Sequence, residues 1–458
     1  MEFTELADYP VPVGALTEWL PCAGSGWEED PRPASYIHEA HLRRCAETGG
    51  RESWLGSAFE IDGVLDVAAF AAALEKWTDR HEVLRSHTGL DAETGEIRRH
   101  TAPPGGVHIG VLSRGHDVEG GDNYAHLQEL FDEHASPHSW PSYVFATLEP
   151  VQRDRFMVFF AADHSIIDGF SVVLIAHELT SLYEEAVSGR VADLLPVGSY
   201  LNFGRQERED VPDAQVERHA LDVWRTALDG SGLPEFPFEV GPRTGGPQQN
   251  VSAWILDAEQ AALFNARCRE ATVGFFPGLL ACLGLAGSEV AGQHRFRAVT
   301  PVHTRHAPEW VSALGWFVGL SPVDFEVVSD DFGTVAQAAA GNISHTKPAA
   351  VVPFDRIEKQ LGIPIRPRFV VSYMDVRFAP EADRWIERNA RALRSRQYTH
   401  DVYAWINRTP RGVNLAVRYP GNDVAAASVH LWVASLRRQL DRVSAHYSPV
   451  GSQTSAHP

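Results

Sequence analysis

The stretch AADHSIIDGFS, residues 161–171, ends an apolar run, RFMVFFAAD, in a histidine and sets Asp168 and Gly169 close behind it. An imidazole has an unperturbed pKa of about 6.5, so it can take a proton and return it within one reaction cycle. His164 at the end of a core strand would stand on a rigid support with its ring facing a cleft. Gly169 opens the next apolar segment without a side chain, which leaves its backbone N–H approachable, and helix N-termini offer such donors to developing negative charge. Asp168 is too near in sequence to be assumed the residue that orients the ring; a second reading makes it half of a buried ion pair that holds the turn. Alone, H-x-x-x-D-G is a weak motif, expected by chance in roughly one chain in ten of this length. The competing reading is a satisfied structural histidine followed by an Asx turn.

The elements that position these residues can be read from their periodicity. Residues 154–162 form a continuous Phe- and Val-rich run, which predicts a strand covered on both faces. Residues 170–188 predict a helix with Gly189 as its C-cap. Upstream, 64–82 carries Val67, Phe70, Leu74 and Trp77 at helical spacing, with Asp66 at the N-cap position. The Gly- and Pro-dense stretch over 230–250 predicts a junction between two halves. Beyond it, DAEQAALFNARCREA, FFPGLLACLGLAGSEVAG and 425–446 predict helices. RFRAVTPV, 366–376 and the pair VYAWINRTP and GVNLAVRYP predict strands. Helices and strands mix throughout, so the fold class is α/β, with one layered lobe over 36–230 and another over 250–447. Residues 1–35 lack a clear period and predict an irregular leader packed across the body. The tail, 448–458, is expected to fray.

Composition narrows the function classes. The chain has 458 residues, 44% of them hydrophobic and 22% charged, enough for two or three cores. A net charge of -20 disfavours nucleic acid and anionic membranes as main partners. Four cysteines without a C-x-x-C pair make no disulfide framework, and the absence of H-E-x-x-H spacing predicts no metal site. There is no G-x-S-x-G elbow, P-loop or strand-linked G-x-G-x-x-G, which argues against serine hydrolysis and nucleotide chemistry. The acidic start, MEFTELADYP, is not a signal peptide, and FFPGLLACLGLAG is too short to span a bilayer, so a cytoplasmic protein with no transmembrane segment is expected.

Several segments, taken together, carry a resemblance. AADHSIIDGFS resembles the HHxxxDG signature of the condensation-domain and chloramphenicol acetyltransferase-like acyltransferase superfamily. DRHEVLRSH (79–87), TPVHTRHAPEWVSALGWFVGLSPVDF (300–325), VPFDRI (352–357) and FVVSYMD (369–375) resemble further family segments and lie in family order over roughly 35–445. GWFVGLSP, VPFDR and the W-x-N-R of 405–408 look most like the polyketide-associated acyltransferase branch. The resemblance implies two chloramphenicol-acetyltransferase-like lobes forming a V-shaped pseudo-dimer with a central channel. It implies thioester-dependent acyl transfer, with no bound cofactor and with acyl-CoA or a phosphopantetheinyl carrier as co-substrate. The implied acceptor is a hydroxyl or amine of a small molecule, sugar or lipid, and the implied state is a monomer.

Residue by residue, His164 matches the catalytic histidine, and Asp168 the aspartate that pairs with an arginine, best matched here by Arg305. Gly169 matches the glycine that leaves room for the pantetheine arm and offers an oxyanion donor. Asp163 replaces the first histidine of the signature, a position the family uses structurally. Trp316, Phe317, Trp405 and Asn407 are candidates for channel lining. Tyr36, His38 and His41 are read as packing under the leader, and His81 as a structural position. Two alternatives stand beside acyl transfer to a hydroxyl: a free-standing amide-forming condensation enzyme, and a non-catalytic partner-binding module on the same fold.

Overall fold

The apolar run before His164 becomes the strand Arg155–Asp163, the central member of a seven-stranded sheet. Phe156, Val158, Phe160 and Ala162 enter one core and Met157, Phe159 and Ala161 another, so the strand is sealed on both faces, which is why it shows no alternation. Each fully buried Phe contributes roughly 1.5–3 kcal/mol to holding this strand in place. It pairs antiparallel with Trp54–Asp62 on one side and with Tyr143–Pro150 on the other. The computed structural model describes residues 1–48, 53–91, 93–116, 123–151, 154–210, 212–228 and 232–445. The tail expected to fray, 448–458, lies outside the described residues.

Two helices brace the motif strand. In Val67–Arg80 the Asp66 side chain caps the amide of Ala69 at 3.0 Å, and Phe70, Leu74 and Trp77 face the core while Val67 overhangs in solvent. The helix Gly169–Ser188 begins at Asp168 and ends at Gly189, whose φ of 73° is the left-handed conformation that glycine adopts at little cost. Glu178 on this helix accepts from Trp77 Nε1 at 2.8 Å and Arg80 Nη2 at 2.9 Å, and lies 2.6 Å from His81 Nε2. His81 therefore ties helix to helix, consistent with a structural position.

The second half builds a six-stranded sheet in the order Gln249–Asp257, Gly412–Tyr419, Val402–Thr409, Phe369–Asp375, Arg295–His303, Val318–Glu326. The helices Ala258–Glu270, Phe275–Ala291 and Asp423–Ala445 supply its core. Val402–Thr409 and Gly412–Tyr419 form an antiparallel pair that turns tightly at Gly412, where a Cβ would lie 2.2 Å from the Leu256 carbonyl oxygen. Val413, Leu415 and Val417 pack into this lobe, whereas Ala416 between them joins the core of the first, so this strand is a seam between the two. A side sheet of Glu28–Glu29, Ile97–Thr101 and Ser86–Leu90 completes a two-lobed α/β fold. Among the described residues no single helix is long and apolar enough to cross a membrane.

Two expectations need correction. Residues 1–35 are not an irregular leader: Gly14–Ala23 is an inner strand of the seven-stranded sheet and Glu2–Glu5 is one of its two edge strands. Gly14–Ala23 is mostly buried along its length, so no period shows, and its Pro21 disguises it further. The second lobe is also not confined to its own sheet. Arg391–Arg394 crosses into the first, between Glu2–Glu5 and Trp54–Asp62.

Candidate active site

His164 leaves the motif strand with its amide bonded to the Ser53 carbonyl at 2.9 Å. Its Nδ1 lies 2.8 Å from the Ile167 carbonyl oxygen. A carbonyl only accepts, so Nδ1 carries the proton of the neutral ring and Nε2 keeps the lone pair. The ring is half-buried and lies flat on the Trp316 indole, with centroids 3.9 Å apart. Burial first, and then the charge on His41, push the imidazole down to about 4, so at neutral pH it is a free base.

Asp163 is wholly buried. Its carboxylate accepts from Ser53 Oγ at 2.8 Å and from the Ser165 amide at 2.8 Å, and it lies 3.2 Å from His41 Nε2. Burial pulls His41 down, but the charge and hydrogen bond of Asp163 overcome it and lift the ring to about 9. His41 holds the Asp163 carboxyl well below the usual carboxylate range despite its burial. The acid that replaces the signature's first histidine is thus one half of a buried ion pair that caps the turn carrying His164. This corrects the reading of His41 as packing under a leader. The pairing spans 122 residues, and only one signal in the sequence anticipated it: an acid at the end of a buried strand requires a cation.

Asp168 and Arg305 meet across the two halves at 2.8 Å, both buried. Asp168 Oδ1 also accepts from the Ser171 amide at 2.7 Å, and Oδ2 from the Phe317 amide at 3.1 Å. Arg305 Nη1 donates to the carbonyls of Trp310 and Ala313, at 2.7 and 2.6 Å. Its guanidinium sits 4.1 Å over the Phe317 ring. Burial raises the Asp168 carboxyl, and the Arg305 charge together with the hydrogen bonds from Ser171 and Phe317 more than offsets this, leaving it lowered. Ser171, which sequence reading missed, receives Arg305 Nη2 at 3.0 Å and the Gly315 amide at 3.3 Å. Its signal was its place three residues after the Asp168 N-cap.

The remaining candidates separate. Gly169 is the first residue of its helix, and a Cβ there would approach Met374 Cε at 3.3 Å and Phe3 Cζ at 3.6 Å. With no carbonyl four residues back inside the helix, its N–H is one of the donors that helix starts leave over. Phe317 is 0% exposed and packs between Tyr200, Phe203 and Arg305, so it is core rather than lining. Trp405 is half-buried beneath the Arg394 guanidinium at 4.2 Å. Asn407 is buried, and neither atom of its amide has a partner among the described residues. Met374, whose Cε faces Gly169, pairs with Asn407 across parallel strands.

Comparison with known proteins gives a consistent picture. The condensation-domain family matches residues 47–448. The acyltransferase PapA3 of Mycobacterium tuberculosis is 26% identical over 466 residues, covering 95% of this chain and 97% of that protein. The trehalose-2-sulfate acyltransferase PapA2 of Mycobacterium tuberculosis is 25% identical, covering 93% and 96%. Among solved structures, a PapA2 acyl transferase superposes with a TM-score of 0.85 at 24% identity, over 97% of this chain and 100% of that one. The first condensation domain of the calcium-dependent antibiotic synthetase superposes with a TM-score of 0.67 at 17% identity, over 91% and 98%.

Proposed function

The chain belongs to the condensation-domain family, and from that membership we propose a stand-alone acyltransferase that moves an acyl group from a thioester to a hydroxyl or amine acceptor. The donor is acyl-CoA or an acyl group on a carrier's phosphopantetheine arm. The acceptor class is a sugar or lipid hydroxyl, in keeping with relatives named for acylating trehalose 2-sulfate and its acylated form. The observation that carries this reading is His164, whose proton is fixed on Nδ1 by the Ile167 carbonyl and whose ring is not sealed in the core.

In the mechanism, Nε2 of His164 takes the acceptor proton as the oxygen attacks the thioester carbonyl carbon. The oxyanion that develops is held by backbone donors at the start of the motif helix, the Gly169 N–H among them. The carbon–sulfur bond then breaks, and the imidazolium returns its proton to the departing sulfur. Thioesters are already activated, so positioning and one proton shuttle suffice. Asp168 and Arg305 do not touch the reacting atoms. They lock the two lobes and the Trp316 segment around them. In this reading Asp163 is structural, its carboxylate taken up by His41 and Ser53.

The test is intact-mass detection of acyl transfer from a panel of acyl-CoA and carrier-loaded thioesters to sugar and lipid alcohols. Transfer that needs His164 is expected, and failure with every donor would remove the proposal.

A pH profile supplies a second check. A ring held at about 4 stays a base well below neutrality, so kcat/KM is expected to be flat from pH 7 down to pH 5. An acid limb centred near 6.5 would mean that the ring is solvated like a free histidine. The stability effects have opposite signs. The neutral His164 contributes above about 6.5, and this is lost as pH falls toward 4. Protonated His41 contributes fully below about 6.5, and this is lost as pH rises through about 9. Asp163→Asn is expected to abolish the alkaline loss, read as unfolding midpoint against pH.

A further inference from the structure

The Trp316 indole is laid on His164 at 3.9 Å with 26° between the ring planes, and it meets His41 at 5.5 Å and 74°. Its backbone is pinned on both sides. The Gly315 amide donates to Ser171 Oγ, the Phe317 amide to Asp168 Oδ2, and the Trp316 carbonyl accepts from the Tyr200 hydroxyl at 3.2 Å. Gly315 presses against Tyr200 so closely that a Cβ would lie 2.4 Å from its ring, which leaves the segment no room to slide. Trp316 itself is half-buried, so core packing alone does not explain why so much of the fold converges on its placement.

We propose that Trp316 acts on the reaction through His164: its π face stabilises the imidazolium formed when Nε2 takes the acceptor proton, and it fixes the tilt of the ring for that transfer. This rests on the acyl-transfer reading above. The proton leaves the acceptor O–H for Nε2, and the oxygen pair forms the new bond to the carbonyl carbon. The carbon–sulfur pair leaves with sulfur, and the same proton passes from Nε2 to that sulfur. The ring is a cation only between the two transfers, and that is when a stacked indole differs most from an aliphatic wall. The charged groups facing the ring are His41 from the helix Tyr36–Thr48, Asp163 on its own strand, and Asp168 at the next helix start, the last neutralised by Arg305. Burial and His41 both oppose the cation, so a compensating face has something to offset.

The experiment replaces Trp316 in the full chain with mono-, di-, tri- and tetrafluorotryptophan, which nearly preserve shape while draining the negative face of the ring. Two quantities are read. One is the His164 titration by NMR on ¹³C-labelled histidine, with the resonance assigned by its loss in His164→Gln. The other is kcat with an accepted thioester. Both are expected to fall stepwise, reaching about tenfold in kcat and about one pH unit in the titration midpoint at full fluorination, with KM little changed. A purely structural tryptophan would move neither. A titration midpoint that stays put across the series overturns the inference, as does a kcat that holds while the midpoint falls. Wild-type protein that transfers no acyl group from any thioester overturns the acyl-transfer reading instead, and the titration series then decides the stack by itself.

Discussion

Replacing His164 with alanine is expected to lower acyl-transfer turnover by about 10²- to 10⁴-fold, the range lost with a general base, and to leave the fold standing. The two effects separate because the side chain does little for stability. It is half-buried and among the described residues makes one hydrogen bond, to the Ile167 carbonyl, worth about 1 kcal/mol. The turn beneath it is held by other groups: the His164 amide on Ser53, the Ser165 amide on Asp163, and the Ile166 amide on the Asp163 carbonyl. All three survive the substitution. Single-turnover kinetics with an accepted thioester, beside a thermal unfolding curve, measure both quantities. Turnover within tenfold of wild type would show that the acceptor is deprotonated by some other group. The residual rate is informative as well, because oxyanion donors and substrate positioning remain in the variant.

What could be read from the chain alone was local. The motif strand and the helix behind it follow from an uninterrupted Phe and Val run and from a capped apolar segment, and the structure places both within a residue of the expected bounds. Gly189 at φ 73° is where a glycine after an amphipathic stretch belongs. What escaped reading was tertiary. Arg391–Arg394 is four residues with no pattern of its own, and only the neighbours Glu2–Glu5 and Trp54–Asp62 make it a strand. Gly14–Ala23 hides because burial on both faces erases alternation. At the site, the order of motifs along the chain pointed to His164, Asp168 and Arg305. It could not separate adjacent aromatics: Trp316 stacks on the histidine while Phe317 turns into the core. Nor did it show that Asp163 had found its counter-ion in His41, a partner on another element.

Asp168→Ala and Arg305→Ala are each expected to destabilise the protein by about 3–5 kcal/mol, because either change leaves its partner as an uncompensated buried charge. Against a typical net stability of about 5–15 kcal/mol this is a large fraction. The Arg305 variant also strips the Ala313 carbonyl of its donor and leaves the Trp310 carbonyl only the Ala313 amide, and the Asp168 variant strips the Ser171 and Phe317 amides of their acceptor. Removing both partners is expected to cost less than the sum of the single changes, since no lone charge remains. The pH dependence has a definite sign. The Asp168 carboxyl is held below its ordinary value, so its contribution is present above about pH 4 and is lost as pH falls through the lowered value. Both single variants should therefore show a weaker acid dependence than wild type in urea unfolding series. They should also lose turnover beyond what folding explains, because Asp168 and Ser171 pin the backbone on either side of Trp316 and hence the face on which His164 rests. Unfolding midpoints that match wild type in both variants would mean that the ion pair does not join the lobes, and that something else holds the indole over the base.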